Sequence, residues 1–118
     1  MRALPFGLAV LLSLVVLFLP ASGVPSSPPG TDKVVHLLLF AVLAVTARTA
    51  GWRAAPVLAG LLGYAALSEV LQALLPLGRS GDVLDGLVDV AGALLGVGVS
   101  ALVLRYRDRR VAAGRSGG

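Results

Sequence analysis

The sequence predicts an all-α fold, a four-helix transmembrane bundle with both termini on the cytoplasmic side. Three observations predict it. Hydrophobic residues make up 57% of the chain and charged residues 14%, where an ordinary soluble domain carries about a quarter charged. The apolar residues fall into four runs near the length of about 20 that a helix needs to cross a bilayer. The arginines then collect on one side of those runs and most carboxylates on the other.

The runs are taken in order. The first, about 3–19, is closed by Pro20. Arg2 before it and Ala21-Ser22-Gly23 after it also fit a signal peptide with a small-residue cleavage site, but the length of the run and the nearness of Pro20 favour a retained helix. The second, 33–48, is short, and Arg48 at its end can extend toward the interface. The third, 54–75, has Pro56 in its first turn, where a missing N–H costs little. The fourth covers 83–104. The stretch 21–30 reads as a loop from its Ser, Pro and Gly content. A second loop, 48–53, carries Trp52 at interfacial depth, and a third covers 76–81. The tail 105–118 is basic and expected to fray. The whole, 1–118, reads as one domain.

An even number of spans puts both termini on one side. Arg2, Arg48, Arg53, Arg105, Arg107, Arg109, Arg110 and Arg115 all fall there, which makes that side cytoplasmic. The opposite side receives Lys33, Arg79, His36 and the acids Asp32, Glu69, Asp82, Asp85 and Asp89. The absence of cysteine excludes disulfides and thiolate chemistry. The net charge of +4 does not indicate nucleic acid, because the basic residues sit beside apolar runs with only Tyr106 interleaved in the tail. Neither a phosphate-cradling P-loop nor a G-x-S-x-G elbow is present.

Spacing organises the outer residues. Asp32 and His36 are four apart and share a helix face, and Glu69 and Gln72 are three apart and share another. Asp82, Asp85, Asp89, Gly92 and Gly96 step by three and four along one stripe, acidic first and glycine deeper. Gly92 and Gly96 form a small-xxx-small pair that admits a neighbouring backbone. The second, third and fourth helices are therefore expected to converge on a polar pocket lined by Asp32, Lys33, His36, Glu69, Gln72, Arg79, Asp82, Asp85 and Asp89. Plainer roles stand beside this. Asp32 suits an N-cap of the second helix, Asp82 a cap of the fourth or a partner for Arg79, and Glu69 with Gln72 interhelical hydrogen bonding. Asp89 is hardest to explain plainly, since a charge at membrane depth costs about 2.5–3.5 kcal/mol on insertion scales.

These residues carry a resemblance. Asp32-Lys33-Val34-Val35-His36, then Ser68-Glu69-Val70-Leu71-Gln72, then Arg79-Ser80-Gly81-Asp82-Val83-Leu84-Asp85, then Asp89 with Gly92 and Gly96, resemble the ordered pattern of the VanZ-like family over about residues 30–100. Asp89 stands where many members carry asparagine, which makes the pocket here more negative. The resemblance implies a bacterial membrane protein of the cell envelope, and its founding member is associated with resistance to teicoplanin.

The residues themselves leave three functions open. One is a non-enzymatic site for a lipid head group, a lipid-linked cell-wall intermediate or a glycopeptide-type drug, with Lys33 and Arg79 facing phosphate. Another is a hydrolase or transferase using His36, Glu69, Asp85 and Asp89 for acid–base work or to hold a divalent metal. The last is a small proton-coupled transporter. No certain cofactor, metal identity or oligomeric state is legible, and membrane lipids are the expected partners.

Overall fold

Four helices follow from the four apolar runs: α1 (Ala3–Phe18), α2 (Thr31–Thr49), α3 (Ala54–Leu74) and α4 (Val83–Ser116). The computed structural model describes residues 3–18, 30–76 and 83–116, the side chains of Asp32 and Ser116 excepted, and no strand occurs among them. Contacts fix the helix directions. Ser13 meets Tyr64 and Leu17 meets Gln72, so α1 and α3 run the same way. Lys33 meets Asp85 and His36 meets Asp89, so α2 and α4 also run the same way. A tight turn at 50–53 reverses the chain between α2 and α3, which makes an up-down-up-down bundle with the α2–α4 seam as its largest interface.

Local chemistry sets the helix ends. The N-cap of α2 is Gly30, at φ 87°, and Val34 N–H closes onto its carbonyl at 3.2 Å. The helix therefore starts at Thr31, and Asp32 stands in the first turn instead of capping it. At the other end Gly51 N–H bonds Arg48 O at 3.0 Å and Trp52 N–H bonds Ala47 O at 3.3 Å, a Schellman closure. Gly51 takes φ 102°, a conformation that a side chain would strain. Trp52 then packs edge-on against Phe6 of α1, with ring centroids 4.8 Å apart. Pro56 is the third residue of α3, where its missing N–H is one the helix could not have paired.

The tail differs from expectation. Residues beyond 104 continue α4 as helix to Ser116. Arg and Ala are strong helix formers and no glycine interrupts the segment before Gly114. Arg110 also lies over the Tyr106 ring at 5.5 Å, one turn away, and its Nε donates to the phenol oxygen at 3.1 Å. At 34 residues, α4 rises about 51 Å, roughly 20 Å more than a hydrocarbon core of about 30 Å.

Around an apolar core that includes Leu17, Phe40 and Leu43, the burial pattern departs from that of a soluble protein. Leu8, Leu11, Leu38, Val70, Leu87 and Leu102 are exposed, while Ser13, Ser68, Ser100, His36, Gln72 and Asp89 are buried. Two helices, Ala54–Leu74 and the stretch Val83–Arg115, are long and apolar enough to cross a membrane, and Ala3–Phe18 is a shorter apolar helix. The ends of α2 carry Lys33, His36 and Arg48, which dilute its hydrophobicity.

The α2–α4 seam closes because α4 has no side chains at two contacts. A Cβ on Gly92 would collide with the Leu37 carbonyl, and one on Gly96 would collide with the Ala41 carbonyl and approach Ala44 Cβ to 2.7 Å. Gly98, nearby on the same helix, has nothing within 4 Å of such a position. Gly96→Leu is therefore expected to destabilise the bundle by about 1–3 kcal/mol through forced separation of the backbones, and Gly98→Leu by less than about 0.5 kcal/mol. Denaturant unfolding in detergent, followed by circular dichroism, checks this, and equal losses at both positions would contradict the close seam.

Candidate functional site

Ahead of the two glycines, the same faces of α2 and α4 carry polar side chains in register. Lys33 and His36 are three apart on α2, and Asp85 and Asp89 are four apart on α4. Because the helices run parallel, these pair rung by rung. Lys33 Nζ lies 3.2 Å from Asp85 Oδ1, and His36 Nδ1 shares a 2.8 Å hydrogen bond with Asp89 Oδ1. Exposure falls steadily along the ladder, from 33% for the Lys33 side chain and 14% for Asp85 to 5% for His36 and 0% for Asp89. The open end is therefore at Lys33 and the closed end at Asp89, just above the close approach of Gly92 to Leu37.

Helix α3 adds Glu69. One ligand-capable atom from each of His36, Glu69 and Asp89 lies within 4.8 Å of the others. Glu69 packs beside Gly86, its Cγ 3.4 Å from where a Cβ on that residue would project. Asp89 Oδ2 is buried and has no hydrogen-bond partner among the described residues. A buried carboxylate oxygen in that state is destabilising by itself, so the position marks chemistry beyond packing.

The expected residues divide into groups. Lys33, His36, Glu69, Asp85 and Asp89 come together at one end of the bundle. Gly92 and Gly96 lie below them in the seam. Gln72 does not join the ladder. It is buried, but its Nε2 donates to the Leu17 carbonyl of α1 at 2.6 Å, because one further turn along α3 rotates it toward that helix. Arg79, Asp82 and the Asp32 side chain lie outside the described residues.

Spacing within single helices also overlooked the α1–α3 contact. Ser13 donates to Val10 O at 2.7 Å, which leaves the Tyr64 hydroxyl to donate to Ser13 at 2.7 Å. The available signal was that Ser13 is the one polar side chain in α1. A cavity of about 280 Å³ lies between α1, α2 and α3, walled by Phe6, Val10, Leu43, Trp52, Val57 and Tyr64. Its lining is nearly all apolar and it does not include the ladder.

Comparison with known proteins bears on this arrangement. No curated protein and no solved structure matches the chain. A sequence model of the VanZ/LLP1 family matches residues 10–104, from the middle of α1 to the stretch of α4 just before its arginines. That span takes in His36, Glu69, Asp89 and both seam glycines, and covers well over half of the sequence. The chain belongs to the VanZ/LLP1 family.

Proposed function

We propose that the protein is a multi-pass protein of the bacterial cytoplasmic membrane whose four helices all cross the bilayer. Both termini face the cytoplasm, and the ladder opens outward as a binding site for a polar head group. The head group belongs to a membrane lipid, a lipid-linked cell-wall intermediate or a glycopeptide-type drug, which is how a role in antibiotic resistance would arise. The observation that carries this reading is the graded exposure from Lys33 to Asp89 on a bundle whose outer faces are otherwise apolar. Lys33 at the mouth offers an ammonium to a phosphate or carboxylate, while the lipid-facing leucines accept a chain. Family membership supports the envelope setting. Because the polar column ends at Asp89, with Gly92 and Gly96 sealing the seam beneath it, the geometry favours a site over a transport path.

Two features support the topology. The α4 arginines lie past the apolar stretch, at the end of the bundle opposite Lys33, as positive-inside orientation requires. At 16 residues, α1 rises about 24 Å, a shortfall that local thinning of the bilayer accommodates.

The lack of native cysteine makes orientation testable with single thiols. Ser27→Cys is expected to react with a membrane-impermeant maleimide in intact cells, and Gly117→Cys only after lysis; the reverse pattern would invert the topology. For the site, protein purified in mild detergent should retain a phosphate- or carboxylate-bearing lipid, detected by mass spectrometry. Lys33→Gln should lower that retention about tenfold or more, in line with roughly 1.5–3 kcal/mol for a charge-assisted hydrogen bond, and Arg107→Gln should not. Retention indifferent to Lys33 would remove the head-group reading.

A further inference from the structure

We propose that His36, Glu69 and Asp89 form a divalent metal site at the closed end of the ladder. The inference deepens the head-group reading and depends on it only for what the ion does to a ligand; the metal chemistry stands on three observations of its own. First, one donor atom from each residue lies within 4.8 Å of the other two. Neighbouring ligands of a tetrahedral ion with bonds of 2.0–2.2 Å are about 3.4 Å apart, so closure requires the donor atoms to draw together by up to about 1.4 Å. Second, Asp89 is fully buried yet leaves Oδ2 without a hydrogen bond among the described residues. That oxygen is available to a ligand, and water is scarce at 0% exposure. Third, the set pairs an imidazole nitrogen with two carboxylates, whose charges together match a divalent ion. Nitrogen with oxygen donors suits Zn²⁺ or Mn²⁺ better than Ca²⁺ or Mg²⁺.

The 2.8 Å contact between His36 Nδ1 and Asp89 Oδ1 then has a second reading. An ion held by both of these atoms would take the place of the hydrogen they share, so the two states would exclude one another. Lys33 and Asp85, already paired at 3.2 Å, form the rung above and balance their own charge. An anionic group entering past Lys33 would meet the ion, which resolves the difficulty of drawing phosphate into a site with three carboxylates.

The test uses the full-length protein in detergent, stripped with chelator and titrated with Zn²⁺ alone and Mn²⁺ alone. Calorimetry follows Zn²⁺ and electron paramagnetic resonance follows Mn²⁺. One ion per chain is expected. His36→Ala and Asp89→Asn should each weaken binding by more than about a hundredfold, because even outer-shell partners of a metal contribute about 10–100-fold. Glu69→Gln, nearly isosteric, provides a variant that keeps the fold, and Ser100→Ala, buried elsewhere on α4, should leave binding unchanged. Absence of a stoichiometric ion in the unmodified protein, or binding indifferent to Glu69→Gln and Asp89→Asn in variants of native helicity, would overturn the site. Lipid retention that still depends on Lys33 in that event would leave the head-group reading standing and the metal alone discarded.

Discussion

At Gly92 and Gly96 the backbone of α4 sits where side chains would otherwise hold α2 away, and the carbonyls of Leu37 and Ala41 occupy that space. Much else depends on this approach. Parallel helices at ordinary separation would leave short Asp side chains on one too far from a partner on the other to share a hydrogen. Here the backbones converge one turn below Asp89, so its carboxylate reaches the His36 ring at 2.8 Å, and Asp85 reaches the longer Lys33 side chain at 3.2 Å. The small residues are thus a condition for the polar ladder as well as for the bundle.

A chain that exposes many of its leucines and buries several serines cannot draw its cohesion from expelling water at its outer faces. Close packing and interhelical hydrogen bonds take over. Two polar links join α3 to α1, Tyr64 to Ser13 and Gln72 to the Leu17 carbonyl. Interhelical links of this kind contribute about 0.6 kcal/mol each on average in a membrane setting, so they orient helices more than they hold them. The remaining buried hydroxyls bond back into their own helices, Ser68 to Ala65 O and Ser100 to Val97 O, and ask nothing of neighbours.

What was legible in the sequence followed from periodicity. Steps of three and four along 82–96 assign one face of α4, and that face does carry Asp85, Asp89, Gly92 and Gly96 toward α2. Periodicity within one helix says nothing about which neighbour receives a residue, and Gln72 shows the limit: it shares a face with Glu69 but lies far enough along α3 to meet α1. The same limit hid the Tyr64–Ser13 contact and the packing of Glu69 beside Gly86. Cap positions depend on backbone angles, so Gly30 displaced Asp32 as the start of α2. Polarity alone makes the tail read as frayed, although arginine and alanine extend a helix well in water.

The order of residues along the ladder carries a further consequence. A lysine at the mouth attracts anions, yet three carboxylates in the described set oppose their entry. Such a column is self-consistent only if the acids are themselves engaged. Asp85 is engaged by Lys33 and one oxygen of Asp89 by His36, which leaves the second oxygen of Asp89 buried without a hydrogen bond among the described residues. Were the histidine–aspartate pair only structural, asparagine would serve at 89 with a weaker demand on its surroundings. A carboxyl group held at 0% exposure, beside a second carboxyl and an imidazole, is better suited to a positively charged occupant.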